Sequence, residues 1–353
     1  MKTKELSYYL ELYKKPLAEL IKLANEIKRK YRNDNLVTYI VERNINYTNV
    51  CKIRCRFCNF SVTENSKNKF ILNIPQILKK VEELVKIGGT QVLIQGGISN
   101  DFGLNFFIQL FKEIKRNFNN IRIHSLSPPE IVHLAKLENK SIEYILTKLK
   151  ESGLDSLPGG GAEILSDRVR KILSPNKCTV EEWAEVMKTA HKLNIPTTAT
   201  MVYGHIETLK ERIQHLLLIK KLQDEKPSNS YGFLSFILWP YISGNNSSRM
   251  FNIKTNIDIN EYIRLIAFSR IVLNNIPHIQ PSLITVGKEI AQLSLHCGAD
   301  DLGSLMIEEK VISSSNENIK TIILEEEMKK IIKESGFIPA KRDGLFNIIS
   351  ISK

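Results

Sequence analysis

The stretch that decides how this chain folds is Tyr47-Thr-Asn-Val-Cys-Lys-Ile-Arg-Cys-Arg-Phe-Cys-Asn-Phe60, in which Cys51, Cys55 and Cys58 form a C-x3-C-x2-C array. Three thiols so close together can bind one metal centre. A structural zinc ion takes four ligands, usually from two pairs well separated in the sequence, and no second pair is present here. The array therefore favours an iron–sulfur cube with one iron left for a ligand that is not protein. Zinc or a redox thiol cluster are the alternatives.

The composition is that of an ordinary globular protein. The chain has 353 residues, of which 42% are hydrophobic and 25% charged, enough for one large barrel-type domain or two smaller ones. Three of its five cysteines lie in one array, which is a poor disulfide framework and a reasonable intracellular metal site. The N-terminus lacks an apolar core and no long apolar run follows. We therefore expect a cytoplasmic protein that is neither secreted nor membrane-spanning.

The net charge is strongly positive, at +12 from 50 Lys and Arg against 38 Asp and Glu. Such a balance can mark a nucleic-acid binder. Here the lysines are scattered over helix-like segments such as 77–86 and 213–221, without a dense basic stripe interleaved with stacking aromatics. We therefore expect a solvated, lysine-rich surface and no nucleic-acid partner. The positive charge of that surface would also attract a small anionic substrate.

The order of elements predicts an α/β fold, a (β/α) barrel of the TIM type. Residues 1–35 have the apolar spacing of helices and precede any strand, so we expect an N-terminal helical cap. From residue 36 to 310 strands and helices alternate, which favours a closed or nearly closed barrel over an open doubly wound sheet. Residues 311–353 should form a C-terminal extension packed on the barrel, with an amphipathic helix near Leu324–Lys333. The predicted strands are 36–43, 91–95, 121–126, 154–157, 197–203, 232–238 and 278–284.

In such barrels the chemistry lies at the C-terminal ends of the strands. Gln95, Gly96 and Gly97 end and follow the second strand, where the glycines would let a ligand approach the backbone closely or would simply form a tight turn. Ser125 lies at the end of the third strand. The fourth is followed by Pro158-Gly-Gly-Gly-Ala-Glu163, a flexible run closed by a carboxylate, which indicates a close contact or a loop that moves.

The end of the fifth strand carries Tyr203, His205 and Glu207, which are a phenol, an imidazole and a carboxylate. Because side chains alternate along a strand, the three should point the same way, into the barrel, if the strand pattern continues that far. Three proton-handling groups on one face suit a proton transfer. The alternative is a structural hydrogen-bond network.

Several longer segments resemble the cyclic dehypoxanthine futalosine synthases, which are radical S-adenosylmethionine (SAM) cyclases of the futalosine route to menaquinone. The likeness runs from about residue 36 to residue 310. The aminofutalosine synthases and the two deazaflavin (F0) synthase subunits share the cluster motif and the segment Tyr203-Gly-His-Ile-Glu207. What favours the cyclase is Leu157-Pro-Gly-Gly-Gly-Ala-Glu163, followed by Asp167-Arg-Val-Arg170 and Ser174-Pro175. The other similar segments are Asn44–Cys51, Gly88–Gly97, His124–Ile131 and Thr198–Thr208.

The resemblance implies a barrel of the radical SAM type with a [4Fe-4S] cluster and SAM as cofactors. Cys51, Cys55 and Cys58 would hold the cluster, and the amino and carboxylate groups of SAM would chelate the fourth iron. Gln95, with the two glycines after it, corresponds to the segment beside the SAM amino group. The other residues assigned to the cofactor are Phe57 near adenine, Glu163 as a ribose contact, and Ser125.

The resemblance also implies a reaction. One electron, from a donor such as flavodoxin or ferredoxin, would release a 5′-deoxyadenosyl radical that takes the ribose C4′ hydrogen of dehypoxanthine futalosine. The carbon radical would attack the substrate's own benzoate ring, and loss of an electron and a proton would give the spirocyclic product. Tyr203, His205 and Glu207 are the candidates for serving the substrate in that step or for orienting SAM.

Overall fold

The structure, a computed structural model, describes residues 3–242, 257–305, 307–308, 310, 314 and 323–352. Helices begin at local caps. Asn73, Thr179 and Thr208 each accept a hydrogen bond from a backbone N–H three residues on, and that residue's side chain returns the bond. The helices are α1 Thr3–Tyr13, α2 Leu17–Tyr31, α3 Ile74–Lys86, α4 Leu104–Asn117, α5 Pro128–Leu137, α6 Ile142–Glu151, α7 Asp167–Leu173, α8 Val180–Lys192, α9 Leu209–Asp224, α10 Ile259–Val272, α11 Leu283–Val286, α12 Lys288–Leu295 and α13 Glu325–Glu334.

One predicted strand is in fact two. The chain bends at Val41, whose carbonyl accepts a hydrogen bond from the N–H of Thr90 at 3.0 Å. Before the bend, β1 pairs with β8 and β9, and after it β2 pairs with β3. One continuous stretch therefore belongs to two sheets. The strands are β1 Leu36–Ile40, β2 Glu42–Asn46, β3 Gln91–Gln95, β4 Arg122–Ser125, β5 Thr197–Tyr203, β6 Phe233–Pro240, β7 His278–Pro281, β8 Asp301–Ser304, β9 Ile338–Arg342 and β10 Ile348–Ile351.

The strands form three sheets, in the orders β10-β9-β1-β8, β2-β3-β4 and β5-β6-β7. All pairs are parallel except the β9–β10 hairpin. Isolated bridges join Ser156 to His124 and Leu157 to Thr197, so the predicted strand 154–157 is reduced to two bridging residues between β4 and β5. The parallel strand–helix order is confirmed. The described strands make separate sheets, however, and not one continuous closed ring.

The C-terminal segment lies under the barrel. The predicted helix near Leu324–Lys333 is confirmed as α13, and it is followed by two strands that were not predicted. The turn between β9 and β10 lies at the N-terminal ends of the barrel strands. There Asp343 pairs with Arg122 at the start of β4 at 3.5 Å, and the Phe346 ring stacks on His278 at the start of β7, with ring centroids 3.9 Å apart. Residues far apart in the sequence therefore close the barrel at the N-terminal ends of its strands, and we call this end the floor.

Helices α1 and α2 are present as predicted, and α1 packs on the outer helix layer. The Tyr13 hydroxyl donates to the carboxylate of Glu261 on α10 at 2.7 Å, and the Arg264 guanidinium donates to the Tyr13 carbonyl at 2.9 Å. Among the described residues, no helix combines the length and the apolar character that a membrane crossing requires.

Candidate functional site

A cavity of about 330 Å³ lies inside the barrel. Its size suits a small molecule. The side formed by β2–β4 is mostly polar and the side formed by β6 mostly apolar, so the cavity can bind a ligand with one hydroxylated and one aromatic part. The first side includes Glu42, Asn44, Gln91, Gln95 and His124, and the second includes Leu234, Ile237 and Trp239.

The register of β5 decides which of its side chains reach this cavity. Thr198, Thr200 and Val202 line it. Tyr203 is therefore on the opposite face, toward the helices, where it is buried beside the Arg212 guanidinium and the Tyr262 ring. The expectation that Tyr203 points into the barrel was wrong by one residue of register.

The cysteine loop follows the C-terminal end of β2, and its backbone is anchored at several points. The N–H of Cys51 donates to Val62 O at 3.1 Å, that of Lys52 to Ile98 O at 2.8 Å, and that of Arg56 to Leu173 O at 2.8 Å. The loop is thus hydrogen-bonded to the segment that follows β3 and to the last residue of α7. This fixes where the three thiols lie relative to the barrel.

The three cysteines are free and partly exposed. Burial and the neighbouring Cys55 raise the pKa of the Cys58 thiol. In the part of the chain that the structure describes, no three His, Cys, Asp or Glu side chains are gathered tightly enough to hold a single metal ion. The donor set of this loop is three thiols, which suits a four-iron cube with one iron left for a ligand that is not protein, whereas a structural zinc ion takes four ligands.

Gly96 and Gly97 pack the end of β3 against the cysteine loop. A Cβ on Gly96 would lie 2.6 Å from the Tyr47 ring, and one on Gly97 would lie 2.1 Å from the Val50 carbonyl oxygen. The Gly97 N–H also donates to Thr48 O at 2.8 Å. Both positions therefore need glycine for close packing, and of this predicted segment Gln95 is the residue that lines the cavity.

The glycine run after residue 157 brings backbone to the cavity wall. A Cβ on Gly159 would lie 2.3 Å from Thr198 O, and Gly161 has a φ of +72°, a left-handed conformation that favours glycine. Gly160 lines the cavity, and a Cβ there would lie 3.0 Å from the Gln95 amide nitrogen. All three glycines are thus explained by close approach or by backbone conformation.

Glu163 closes that run and lines the cavity, and its contact with the SAM ribose stays a prediction. Its carboxylate pairs with Lys177 Nζ at 2.8 Å, with Arg170 farther away at 3.9 Å. Although burial alone would raise it, these two cations hold the pKa of Glu163 below its usual value. Glu163 is therefore a half-buried, ionised carboxylate that lines the cavity.

Lys177 is a site residue that the sequence did not reveal. Burial lowers its pKa, but Cys55 and Glu163 raise it by more, so the amine stays protonated. Its Nζ lies 5.5 Å from the centre of the Phe57 ring, which also packs edge-on against Tyr241. Lys177 thus links the cysteine loop to the glycine run. A single lysine after a helix carries no sequence signal for such a position.

At the end of β4 the cavity receives His124 and not Ser125. The Ser125 side chain is fully buried, and its hydroxyl donates to Ile94 O at 2.8 Å, so the structure does not place it where the predicted cofactor contact would need it. The His124 Nδ1 lies 2.7 Å from Ser156 Oγ. Burial lowers the pKa of His124 to about 3, so its imidazole is neutral at pH 7.

His205 and Glu207 form a hydrogen-bond network after β5 and do not line the cavity. Glu207 accepts bonds from the N–H groups of Gly204 and His205 at 2.7 and 2.9 Å and pairs with Arg212 at 2.7 Å. Burial opposes ionisation, but His205 and Arg212 lower the pKa of Glu207 to about 2. His205 Nε2 lies 3.0 Å from Val202 O. We expected His205 and Glu207 to face the barrel interior by continuing the alternation of β5. That expectation fails because β5 ends at Tyr203. Their catalytic role stays a prediction.

The barrel and the cysteine loop together define an enzyme of the radical SAM superfamily, which residues 45–219 match. Enzymes of this superfamily use a [4Fe-4S] cluster and SAM. Residues 230–353 match the CofH/MqnC C-terminal region. The chain belongs to this CofH/MqnC family of radical SAM enzymes.

Relatives with two different names are about equally similar to the chain. The 5-amino-6-(D-ribitylamino)uracil–L-tyrosine 4-hydroxyphenyl transferase of Archaeoglobus fulgidus is 40% identical, over 96% of this chain and 96% of its own length. The cyclic dehypoxanthine futalosine synthase of Streptomyces coelicolor is also 40% identical, over 94% of this chain and 82% of its own. The same synthase of Halalkalibacterium halodurans is 39% identical, over 92% and 86%.

Solved structures support the fold. Methylornithine synthase (PylB) superposes with a TM-score of 0.72 at 16% identity, covering 96% of this chain and 94% of its own. HydG, a maturase of the [FeFe]-hydrogenase, gives the same TM-score at 15% identity, covering 96% and 77%. The predicted TIM-barrel-type fold is therefore confirmed at the level of the fold.

Proposed function

We propose that this protein converts dehypoxanthine futalosine to cyclic dehypoxanthine futalosine. The observation that carries the proposal is that Gly160, Gly161 and Glu163 line the cavity, in a segment that resembles the cyclases. The two similar synthases from Streptomyces and Halalkalibacterium support it.

Cys51, Cys55 and Cys58 would hold the cluster, which with SAM supplies the 5′-deoxyadenosyl radical that removes a hydrogen from the substrate. Gln95 and Glu163 line the cavity and would orient SAM there.

The two sides of the cavity match the two parts of this substrate. His124 presents a neutral imidazole whose Nδ1 is held by Ser156, which leaves Nε2 to bond a hydroxyl of the sugar. Trp239 and Ile237 on the other side would pack against the benzoate ring. Substrate binding would thereby bring the sugar and the ring together before the new bond forms.

A second candidate is transfer of a 4-hydroxyphenyl group from L-tyrosine to 5-amino-6-(D-ribitylamino)uracil. The Archaeoglobus relative that bears this name is as similar as the Streptomyces synthase and covers slightly more of the chain. Its uracil substrate also joins a hydroxylated five-carbon chain to a ring, so the cavity's division into polar and apolar sides does not separate the two reactions.

One anaerobic experiment tests both. The reconstituted protein, with SAM and dithionite, is given dehypoxanthine futalosine in one reaction and the ribitylaminouracil with L-tyrosine in another, and products are identified by mass. We expect 5′-deoxyadenosine and a cyclised product two mass units lighter than the substrate in the first reaction only. Product in the second reaction alone would replace this proposal by the transferase.

A further inference from the structure

The cysteine loop and the segment after it carry a group of exposed basic side chains, which we call the basic collar. In the segment 52–69 the basic residues outnumber the acidic ones five to one, and Glu64 is the single acid. All five basic residues are exposed. They are Lys52, Arg54, Arg56, Lys67 and Lys69.

The collar is free of internal ion pairs. Exposed lysines elsewhere, such as Lys14 and Lys86, pair with a glutamate three or four residues away. None of the collar residues pairs with an acid within the described ranges. Because each uncompensated cation adds to the local potential, the collar gives a positive field to the surface that carries the three cysteines.

The backbone under the collar is held in place. The N–H groups of Lys52 and Arg56 donate to Ile98 O and Leu173 O, both at 2.8 Å. The Asn49 side chain holds the segment that carries Lys67 and Lys69, because its amide donates to Asn68 O and its oxygen accepts from the Phe70 N–H, both at 2.9 Å. The cations therefore project from an anchored loop. A partner that binds them is brought to a fixed position relative to the thiols.

We propose that the basic collar is the docking surface for an acidic one-electron carrier protein with a flavin or an iron–sulfur group. The thiols that would hold the cluster are partly exposed and alternate in the sequence with Lys52, Arg54 and Arg56, so a carrier bound to the collar would lie beside them. The carrier loses one electron and the cluster gains it, and no bond or proton is exchanged. The proposal rests on membership of the superfamily and not on the identity of the substrate.

The aromatic residues of the same region argue against a nucleic-acid partner. Phe60 packs edge-on against Phe70, with ring centroids 5.9 Å apart, and Phe57 packs against Tyr241 at 6.4 Å. All of these rings are buried or half-buried. Single-stranded nucleic acid binds best where exposed rings can stack on the bases, and the collar offers none.

The test compares the Lys67→Glu/Lys69→Glu variant with Lys22→Glu/Lys112→Glu. The control reverses two lysines on α2 and α4 that are also exposed and unpaired among the described residues. Each reconstituted enzyme is titrated with a flavodoxin of net negative charge, and the Kd is measured calorimetrically. SAM cleavage is measured separately, with reduced flavodoxin and with dithionite.

We expect the collar variant to bind flavodoxin about tenfold more weakly than wild type at 50 mM salt, with the difference shrinking at 500 mM as the charges are screened. The control variant should bind like wild type, and cleavage driven by dithionite should be equal in all three. The milder Lys52→Gln should weaken binding by roughly two- to threefold.

The proposal is overturned if the collar variant binds flavodoxin as wild type does, or if the control loses as much affinity, because only net charge would then matter. It is also overturned if wild type binds an oligonucleotide with steep salt dependence and does not bind flavodoxin. Since these readouts are binding and SAM cleavage, a wrong substrate assignment would leave them unchanged.

Discussion

At the scale of single residues, the distinction between cluster ligands and buried thiols depends on environment. Cys178 and Cys297 are both buried, and burial raises the pKa of each to about 11. The Arg170 guanidinium donates to Cys178 Sγ at 3.4 Å, and neither cysteine belongs to the anchored loop, so we expect neither to bind the cluster. The cysteines of the loop are partly exposed, and Cys55 lies near the Lys177 cation.

Cys55→Ala should abolish the cluster without unfolding the barrel, because two thiolates do not hold the cube. Iron content and the visible absorption of the anaerobically purified protein measure this. Cys178→Ala and Cys297→Ala serve as controls and should keep about four irons per chain. Loss of iron in either control would mean that the ligand assignment is wrong.

His124→Phe should weaken substrate binding by about 10- to 100-fold, because it removes a hydrogen bond and leaves the substrate hydroxyl unpaired. His124→Gln should recover part of that loss. The control is Ser125→Ala. The wild-type Ser125 side chain lies on the other face of β4, where its hydroxyl donates to Ile94 O, so this variant should leave substrate affinity unchanged. The measurement is the Kd of dehypoxanthine futalosine by calorimetry. If His124→Phe binds the substrate as tightly as wild type does, His124 does not contact the substrate.

Glu207→Gln should cost about 3 kcal/mol of unfolding free energy at pH 7, since the wild-type pKa of about 2 lies below the usual glutamate value. A lowered pKa contributes stability that is present above pH ~4.5 and is lost as the pH falls toward 2. Urea unfolding of both proteins at pH 7 and pH 3.5 should therefore show a smaller difference at the lower pH. An unchanged difference would indicate that shape, and not charge, makes the contribution.

At the scale of elements, the C-terminal hairpin completes the barrel from below. Arg342 lies on β9 and pairs with Asp301 on β8, and its guanidinium lies 3.8 Å from the centre of the Phe346 ring. A Cβ on Gly344 would lie 2.0 Å from the Gln91 side-chain oxygen, so the turn is in direct contact with the start of β3. The floor of the cavity is thus built from the last strands of the chain.

Phe346→Ala should lower the unfolding free energy by roughly 2 kcal/mol, because the ring is only partly buried. It should also admit water through the floor, so that more 5′-deoxyadenosine is formed per product. Chromatography of both products measures this ratio. Ile349→Ala, on the exposed strand β10, is the control and should change neither quantity. A ratio equal to that of wild type would show that the floor does not protect the reaction.

At the scale of the whole molecule, buried neutral histidines make stability depend on pH. Burial lowers the pKa of His124 and His215 to about 3 and that of His191 to about 4. The unfolded chain takes up these protons near pH 6.5 and the folded one does not, so stability is full above that pH and falls below it.

Lowering the pH from 7.5 to 5.5 should therefore cost about 1.4 kcal/mol per histidine, or roughly 4 kcal/mol in total. Urea unfolding across that range measures the loss. His191→Gln should reduce the pH dependence by about a third. A free energy of unfolding that is independent of pH in this range would contradict the burial of these rings.

Local patterns were enough for the parts of this protein that depend on neighbours in the sequence. The array of Cys51, Cys55 and Cys58 lies within eight residues, so its spacing alone predicts a three-thiol site. Helix starts at Asn73 and Thr208 have short-range caps, and the alternation of strands and helices gives the parallel barrel order. Family membership follows from the same segments.

Only the tertiary structure decided features that depend on register and on contacts between distant segments. Whether His124 or Ser125 faces the cavity is set by strand pairing, because a shift of one residue moves every side chain to the other face. Lys177 reaches Glu163 through folding of the α7–α8 connection, and Phe346 reaches His278 across most of the C-terminal segment. Such contacts are stabilised by burial of the assembled barrel, so no local pattern encodes them.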